Sequence, residues 1–400
     1  MFEYKKERGA PCYTTNQLDL ELESSPMPGT TYRELSADNV VIELNVNPTQ
    51  FDDLSELPPN HNTDHILEAD WDIETGWSAP YLHGFRPMLL DPTSSFLHYA
   101  TTCFEGMKAY KSADGKKITL FRPRDNIDRL NDSTERASLP FLEPEAALKL
   151  LDLFVQTDSR FIAPGGYIYL RPMVMGTDGG LGLKSPSRAK FMIMASLMPP
   201  LNRSPLKLYC SPPDCIRAWP GGFGYAKLGA NYGPTLAANR EAVKNGYSQV
   251  LWLFGENGVV TEAGGANFFA VIKNEEGRTQ ILTCPLTTGL ILPGVTRRSV
   301  LELLTEKFSD EIDVIEREFT ISEIAQAAEQ NRLVEAFAVG TAYFVSSVDR
   351  IRTPEGVDFS VPLVEEDGLC GKYAKYARDA LSAIMWGKVQ HKWAHIVKEN

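Results

Sequence analysis

Lys227 stands alone in an unusual stretch. The segment from Ala218 to Pro234, AWPGGFGYAKLGANYGP, carries one lysine among five glycines, two prolines and four aromatic residues, Trp219, Phe223, Tyr225 and Tyr232. An ammonium held in a partly dry pocket is disfavoured. The neutral amine that replaces it attacks a carbonyl to form a Schiff base. Glycines fit that use, because they let backbone approach a flat ligand closely.

Two further stretches could complete such a site. GVVTEAGGANFFAVI, residues 258–272, reads as strand, sharp turn and strand, with Glu262 opening the turn and Asn267 closing it. A carboxylate aimed at a ring nitrogen keeps that nitrogen protonated, as pyridoxal phosphate requires to act as an electron sink. TTGLILPGVTRRSVLELL puts Gly289 and Gly294 in a loop that feeds a helix, a place where free N–H groups hold phosphate. Arg129, in NIDRLNDS, offers a bidentate charge to the same group. Each stretch alone also has a plain structural reading. A glycine-rich loop can carry a surface lysine, a carboxylate can cap a turn, a loop can simply start a helix, and Arg129 can be a solvated helix residue.

The elements that must position these residues follow from pattern. The length of 400 residues exceeds one ordinary core, so more than one domain is expected. Residues 1–58 read as a polar, proline-punctuated arm. Residues 59–198 read as a small α/β domain, with helices at PRDNIDRLNDSTERA and PEAALKLLDLFVQT and β-rich runs at KITLF, GYIYLRPMVM and KFMIMASLM. Residues 199–206, around PPLNRSP, read as a linker. Residues 207–400 read as the large domain that carries Lys227. The class is mixed α and β.

Composition removes other functions. The net charge of −12 supplies no basic face for nucleic acid. No apolar run reaches the length of a membrane span, and no secretory or transit signal is visible at the start, so a cytoplasmic location is expected, with a mitochondrial one left open. Six scattered cysteines show neither zinc spacing nor a C-x-x-C pair; Cys210 and Cys215 form the one close couple. No metal constellation is expected. His65 and His98 read as hydrogen-bonded structural residues.

The three stretches, in this order, resemble the branched-chain amino-acid aminotransferases, the class-IV, pyridoxal-phosphate-dependent enzymes of fold type IV. The resemblance runs over about residues 62–395. It rests on TDHILEADW, SSFLHYATTCFEGMKAY, LFRPRDNIDRLNDS, YLRPMVMG, RAWPGGFGYAKLGANYGP, VLWLFGENGVVTEAGGANFF, GLILPGVTRRS and VGTAYFV. It implies a two-domain fold with a smaller N-terminal α/β domain and a larger, β-barrel-like C-terminal one. It implies pyridoxal 5′-phosphate on Lys227, with Glu262 at the pyridine nitrogen and Tyr232 beside the phenolic oxygen. Arg129, the amides of Leu290 and Ile291, and Thr341 would hold the phosphate. Thr341 and Ala342 would receive the substrate carboxylate. Tyr99, Phe104, Tyr169 and Arg171 would line the substrate pocket, with Arg171 the candidate for a second carboxylate. Leu181 and Leu183 would come from a neighbouring subunit, so at least a homodimer is implied.

The chain departs from that pattern at Asn62, Pro200, Gly265 and Ala266, which shrink or polarise the pocket wall. Tyr343 and Ser346 stand where some animal members carry a redox cysteine pair. The resemblance implies transamination between leucine, isoleucine or valine and 2-oxoglutarate. The alternatives are a class-IV transaminase for another hydrophobic or aromatic amino acid, a D-amino-acid transaminase or aminodeoxychorismate lyase, and a binding protein that kept the fold and lost catalysis.

Overall fold

The computed structural model describes residues 32–199, 204–342, 344–366 and 368–397. Pro200, Tyr343 and the first 31 residues of the expected arm lie outside them.

The first sheet is built from β1 (Val41–Glu43), β2 (His65–Asp72), β3 (Gly76–Trp77), β4 (Tyr81–Gly84), β5 (Thr102–Phe104), β6 (Met107–Lys111), β7 (Ile118–Phe121), β8 (Tyr167–Gly176) and β9 (Arg188–Ser196). The order along it is β1-β4-β2-β9-β8-β6-β7, with β3 on β2 and β5 on β8. Its helices are α1 (Ser95–Tyr99), α2 (Pro123–Arg136) and α3 (Pro144–Thr157). α3 shows why the pattern was readable. Glu143 caps it by accepting from Glu145 N–H at 3.1 Å, Pro144 sits in the first turn, and Ala147, Leu150, Leu151, Phe154 and Val155 form one buried stripe.

The second sheet holds β10 (Leu206–Cys210), β11 (Gln249–Phe254), β12 (Val259–Ala263), β13 (Ala266–Lys273), β14 (Thr279–Thr283), β15 (Ile312–Glu316), β16 (Leu333–Gly340), β17 (Phe344–Arg352) and β18 (Asp358–Ser360). The order β12-β11-β10-β17-β16-β13 closes on itself through the β12–β13 pairing, so six strands form a barrel. β13 is apolar along nearly its whole length because both faces are buried. Phe268 and Ala270 fill the barrel, while Phe269 and Val271 face outward against the helices. The helices of this half are α4 (Thr235–Lys244), α5 (Val295–Phe308), α6 (Ile321–Glu329) and α7 (Lys372–Met385), and α5 and α7 are the ones that meet those outward residues.

The chain then crosses back. β19 (Ala394–Val397) pairs antiparallel with β7, so the end of the expected large domain completes the first sheet. Leu206, expected in the linker, is already the first residue of β10. The described part of the arm is not loose. β1 pairs parallel with β4, Leu35 is buried in the first core, and Asn45 N–H donates to His65 Nε2 at 3.0 Å. His65 Nδ1 lies 2.6 Å from Asp158, which gives this histidine the structural role expected of it. Cys103, Cys210, Cys215 and Cys284 are free thiols.

β16 carries a buried acid with a consequence for pH. The Glu335 carboxylate accepts from Tyr373 N–H at 3.3 Å and Ala374 N–H at 2.8 Å, at the start of α7. Burial raises its pKa from 4.5 to about 7, against the pull of those backbone N–H groups. The unfolded chain therefore ionises first. Between pH 4.5 and 7 the native state holds the extra proton, and stability falls as pH rises. The contribution is complete below the unfolded pKa and lost above the folded one, about 3 kcal/mol in all. Glu335→Gln is expected to flatten this slope, read from urea midpoints at pH 5 and pH 8.

Candidate active site

The segment around Lys227 is held from the first sheet. Lys227 N–H donates to Ser133 Oγ of α2 at 2.9 Å. Its carbonyl accepts from Phe104 N–H of β5 at 3.1 Å. Asn231 Nδ2 ties the loop to itself, donating to Phe223 and Ala226 carbonyls at 3.1 and 2.8 Å. A glycine-rich loop is thus made rigid, and it aims the amine. Lys227 Nζ donates to the Tyr232 hydroxyl at 3.0 Å. It lies 5.1 Å from the centre of the Phe104 ring, and that ring packs 5.1 Å from the ring of Tyr232.

Glu262 comes from the end of β12 and is 1% exposed. Its register partner across the hairpin is Asn267. Glu262 Oε1 accepts from Asn267 Nδ2 and from Leu292 N–H, each at 3.2 Å. Oε2 lies 2.6 Å from an Arg217 guanidinium nitrogen, yet that geometry satisfies neither atom as a hydrogen bond. Burial pushes the Glu262 carboxyl above its ordinary range, and Arg217 pulls it back in part.

Arg129 projects from α2 and is clamped by Glu105, its Nε and a terminal nitrogen donating to the two carboxylate oxygens at 2.7 and 2.8 Å. The other terminal nitrogen donates to the Pro293 carbonyl at 3.0 Å. This places a cation beside Gly294, the N-cap of α5. That cap makes no side-chain hydrogen bond to the helix, so the first amides of α5 are open to an anion. A Cβ on Gly294 would collide with the Asn267 side chain, so glycine alone lets the helix start come this close.

The substrate candidates divide. Tyr169 accepts from Arg171 at 3.1 Å, and Arg171 lies 4.3 Å over the Phe104 ring. Gly106 is required beneath them, since a Cβ there would strike the Tyr169 hydroxyl. Thr341 and Ala342, at the turn between β16 and β17, line the same cleft as Lys227, Glu262, Arg129 and Tyr169. Tyr99 is set apart, donating to the Leu181 carbonyl. Leu181 and Leu183 are 62% and 79% exposed. Leu290 and Ile291 are buried against Ala218 and Cys284, and Leu290 N–H donates to Thr288 Oγ1 at 3.2 Å. From that loop, Leu292 and Gly294 face the cleft. Of the departures, Gly265 lines the cleft, Ala266 is buried and Asn62 bridges Ser196.

Reasoning from sequence assigned no role to Glu105, Arg217 or Ser133. Glu105 and Arg217 each stand in a motif already singled out, FEGMKAY and RAWPGG. The signal in both was a charge inside an otherwise apolar run, where an unpaired ion is expensive.

The solved structures match this architecture. The branched-chain amino acid aminotransferase of Thermobaculum terrenum in its PLP form aligns with a TM-score of 0.65 over 84% of this chain and 99% of that one, at 21% identity. The protein therefore has the mixed α and β architecture of fold type IV. A family model for amino-transferase class IV matches residues 102–351. The chain is 38% identical over 375 residues to the branched-chain-amino-acid aminotransferase of Dictyostelium discoideum, across 92% of this chain and 97% of that protein. Two Saccharomyces cerevisiae relatives, one named cytosolic and one mitochondrial, are 39% and 38% identical over 84% and 91% of this chain and 90% and 94% of their own lengths. The chain belongs to the class IV aminotransferase family, among its branched-chain members. Among the described residues, no helix is long and apolar enough to cross a membrane, and no cluster suited to a metal ion occurs.

Proposed function

We infer that this protein is a pyridoxal-phosphate-dependent aminotransferase that moves the amino group of leucine, isoleucine or valine to 2-oxoglutarate, releasing the branched-chain 2-oxo acid and glutamate. One observation carries the reading: a lysine amine and a buried carboxylate with an unsatisfied oxygen face a single cleft that ends on Arg129 and an uncapped helix start.

The residues fit the cofactor. The orphaned Glu262 Oε2 suits a protonated ring nitrogen. Arg129 and the first amides of α5, with the Leu290–Ile291 loop and Thr341, suit a phosphate. When bound, the cofactor supplies an aldehyde carbon and an electron-poor ring that withdraws charge from the α-carbon of an amino acid. Lys227 holds it covalently and serves as general base for the α-proton. The Tyr232 hydroxyl orients the amine. Glu262 keeps its proton-accepting oxygen dry. The amides of Thr341 and Ala342 receive the α-carboxylate. Phe104 furnishes an apolar wall, and Arg171 pairs with the second carboxylate of glutamate.

The exposed Leu181 and Leu183 suit burial by a second copy, so the working form is a homodimer. The matched relatives do not favour a D-amino-acid transaminase or a lyase, and the presence of both Lys227 and Glu262 speaks against an inactive binding protein.

The test is spectroscopic. The purified protein loaded with pyridoxal phosphate is expected to absorb in the visible. Leucine, isoleucine or valine should bleach that band, and 2-oxoglutarate should restore it. A band indifferent to all three amino acids sinks the branched-chain reading.

A further inference from the structure

One face of β6 belongs to the first core, where Met107 and Ala109 are buried. Lys108, between them, points the opposite way, and it is 2% exposed. Gly106, two residues before it, lines the cleft, as does Tyr169, the register partner of Lys108 on β8. Burial draws the Lys108 amine down to about 8, so it still carries its proton at neutral pH.

Little in the fold answers that charge. Nζ lies 4.4 Å from the centre of the Tyr167 ring. It has no hydrogen-bond partner among the described residues, and neither has Asn126 Oδ1. Both side chains line a cavity of about 20 Å³, together with Thr296, Thr341, Phe344 and Met385. An aromatic face offsets less than the burial of an ammonium costs. A methionine of the same length would suit this lining and avoid that cost. Stability therefore does not account for the lysine.

The anions expected next door do. Val295, Thr296 and Thr341 line both this cavity and the cleft, so Lys108 stands behind the wall that receives them. The turn after Thr341 is held firmly in place: Phe344, 6% exposed, has a φ of 62°, which a bulky aromatic adopts only where its surroundings impose it. Arg129 serves the phosphate, and Arg171 the second carboxylate. The α-carboxylate is given amides but no cation.

We propose that Lys108 is a positioning residue whose ammonium, set behind the Thr341 turn, supplies the counter-charge for the α-carboxylate received in front of it. The proposal rests on the aminotransferase reading above and deepens it.

The experiment compares the loaded wild-type enzyme with Lys108→Met and Lys108→Arg. In Lys108→Met the calorimetric dissociation constant of 4-methylpentanoate, an unreactive carboxylate, should rise about tenfold or more. KM for leucine and for 2-oxoglutarate should rise with it, while kcat stays within about twofold. Bleaching of the visible band by 3-methylbutylamine, which is leucine without its carboxylate, should not change. Lys108→Arg keeps the cation and should hold 4-methylpentanoate to within about threefold of wild type. The unfolding temperature of Lys108→Met should stay level or rise. An unchanged dissociation constant for 4-methylpentanoate in Lys108→Met overturns the proposal. Equal losses for the carboxylate and the amine overturn it too, since shape rather than charge would then be at work. So does a weaker hold on pyridoxal phosphate with carboxylate binding intact, which would assign Lys108 to the phosphate. A wild type that transaminates no amino acid defeats the functional reading instead, and the ratio of the 4-methylpentanoate constants in wild type and Lys108→Met then decides this one.

Discussion

Lys227→Ala is expected to lower kcat/KM for leucine by at least about 10⁴-fold, since one side chain is asked to be both the amine that holds the cofactor and the base that moves the α-proton. The visible band of the loaded enzyme should vanish with it. The fold should survive. The two contacts that seat this residue in the loop, from Phe104 N–H and to Ser133 Oγ, are made by its backbone. The side chain loses only its bond to Tyr232. Lys227→Arg keeps a cation in place but not a usable amine, so an equal loss there assigns the effect to nucleophile and base rather than to charge. A variant that keeps a tenth of wild-type turnover, with an unchanged unfolding midpoint, would remove Lys227 from the chemistry.

Glu262→Gln should act on activity and on stability through different partners. The amide keeps the shape and one acceptor for Asn267 and Leu292, so the hairpin stays in register. It cannot hold a ring proton as a carboxylate does, and kcat is expected to fall by about 10²- to 10³-fold. It also strands the Arg217 guanidinium, buried beside Oε2. Breaking a buried pair from one side costs about 3–5 kcal/mol. The double variant Glu262→Gln, Arg217→Met separates the two effects. Stability should return, because an unpaired buried charge is gone, while kcat stays low. Denaturant midpoints and turnover measured on wild type, the single variant and the double variant test this. Recovery of kcat in the double variant would mean that Glu262 acts only by neutralising Arg217.

Much of the site was legible because its chemistry needs residue types that are rare in their surroundings. A lone lysine among glycines and aromatics, a carboxylate at a tight turn and a glycine before a helix each contradict the bland composition around them. Helices such as α3 were legible for a second reason. Their cap, first-turn proline and apolar spacing are local, and local signals act within a few residues of chain. The arm was less legible. What orders its described part is a bond from Asn45 to His65 and a parallel pairing with β4, and neither partner is announced by the polar residues of the arm itself.

By itself the sequence determined the reacting groups, the order of their stretches and hence the family, because those depend on side-chain chemistry and short-range turn geometry. Only the tertiary structure decided which ions pair and which glycines are required. Glu105 clamps Arg129, and Arg217 takes Glu262, because the first sheet, the barrel and α2 converge on one cleft. Gly264 and Gly265 are the same letter in the sequence. They differ in fold because the twist of one hairpin gives only the first a positive φ and sets it against Gln249. Pairings and contacts of this kind are properties of register and packing, which no single stretch of chain contains.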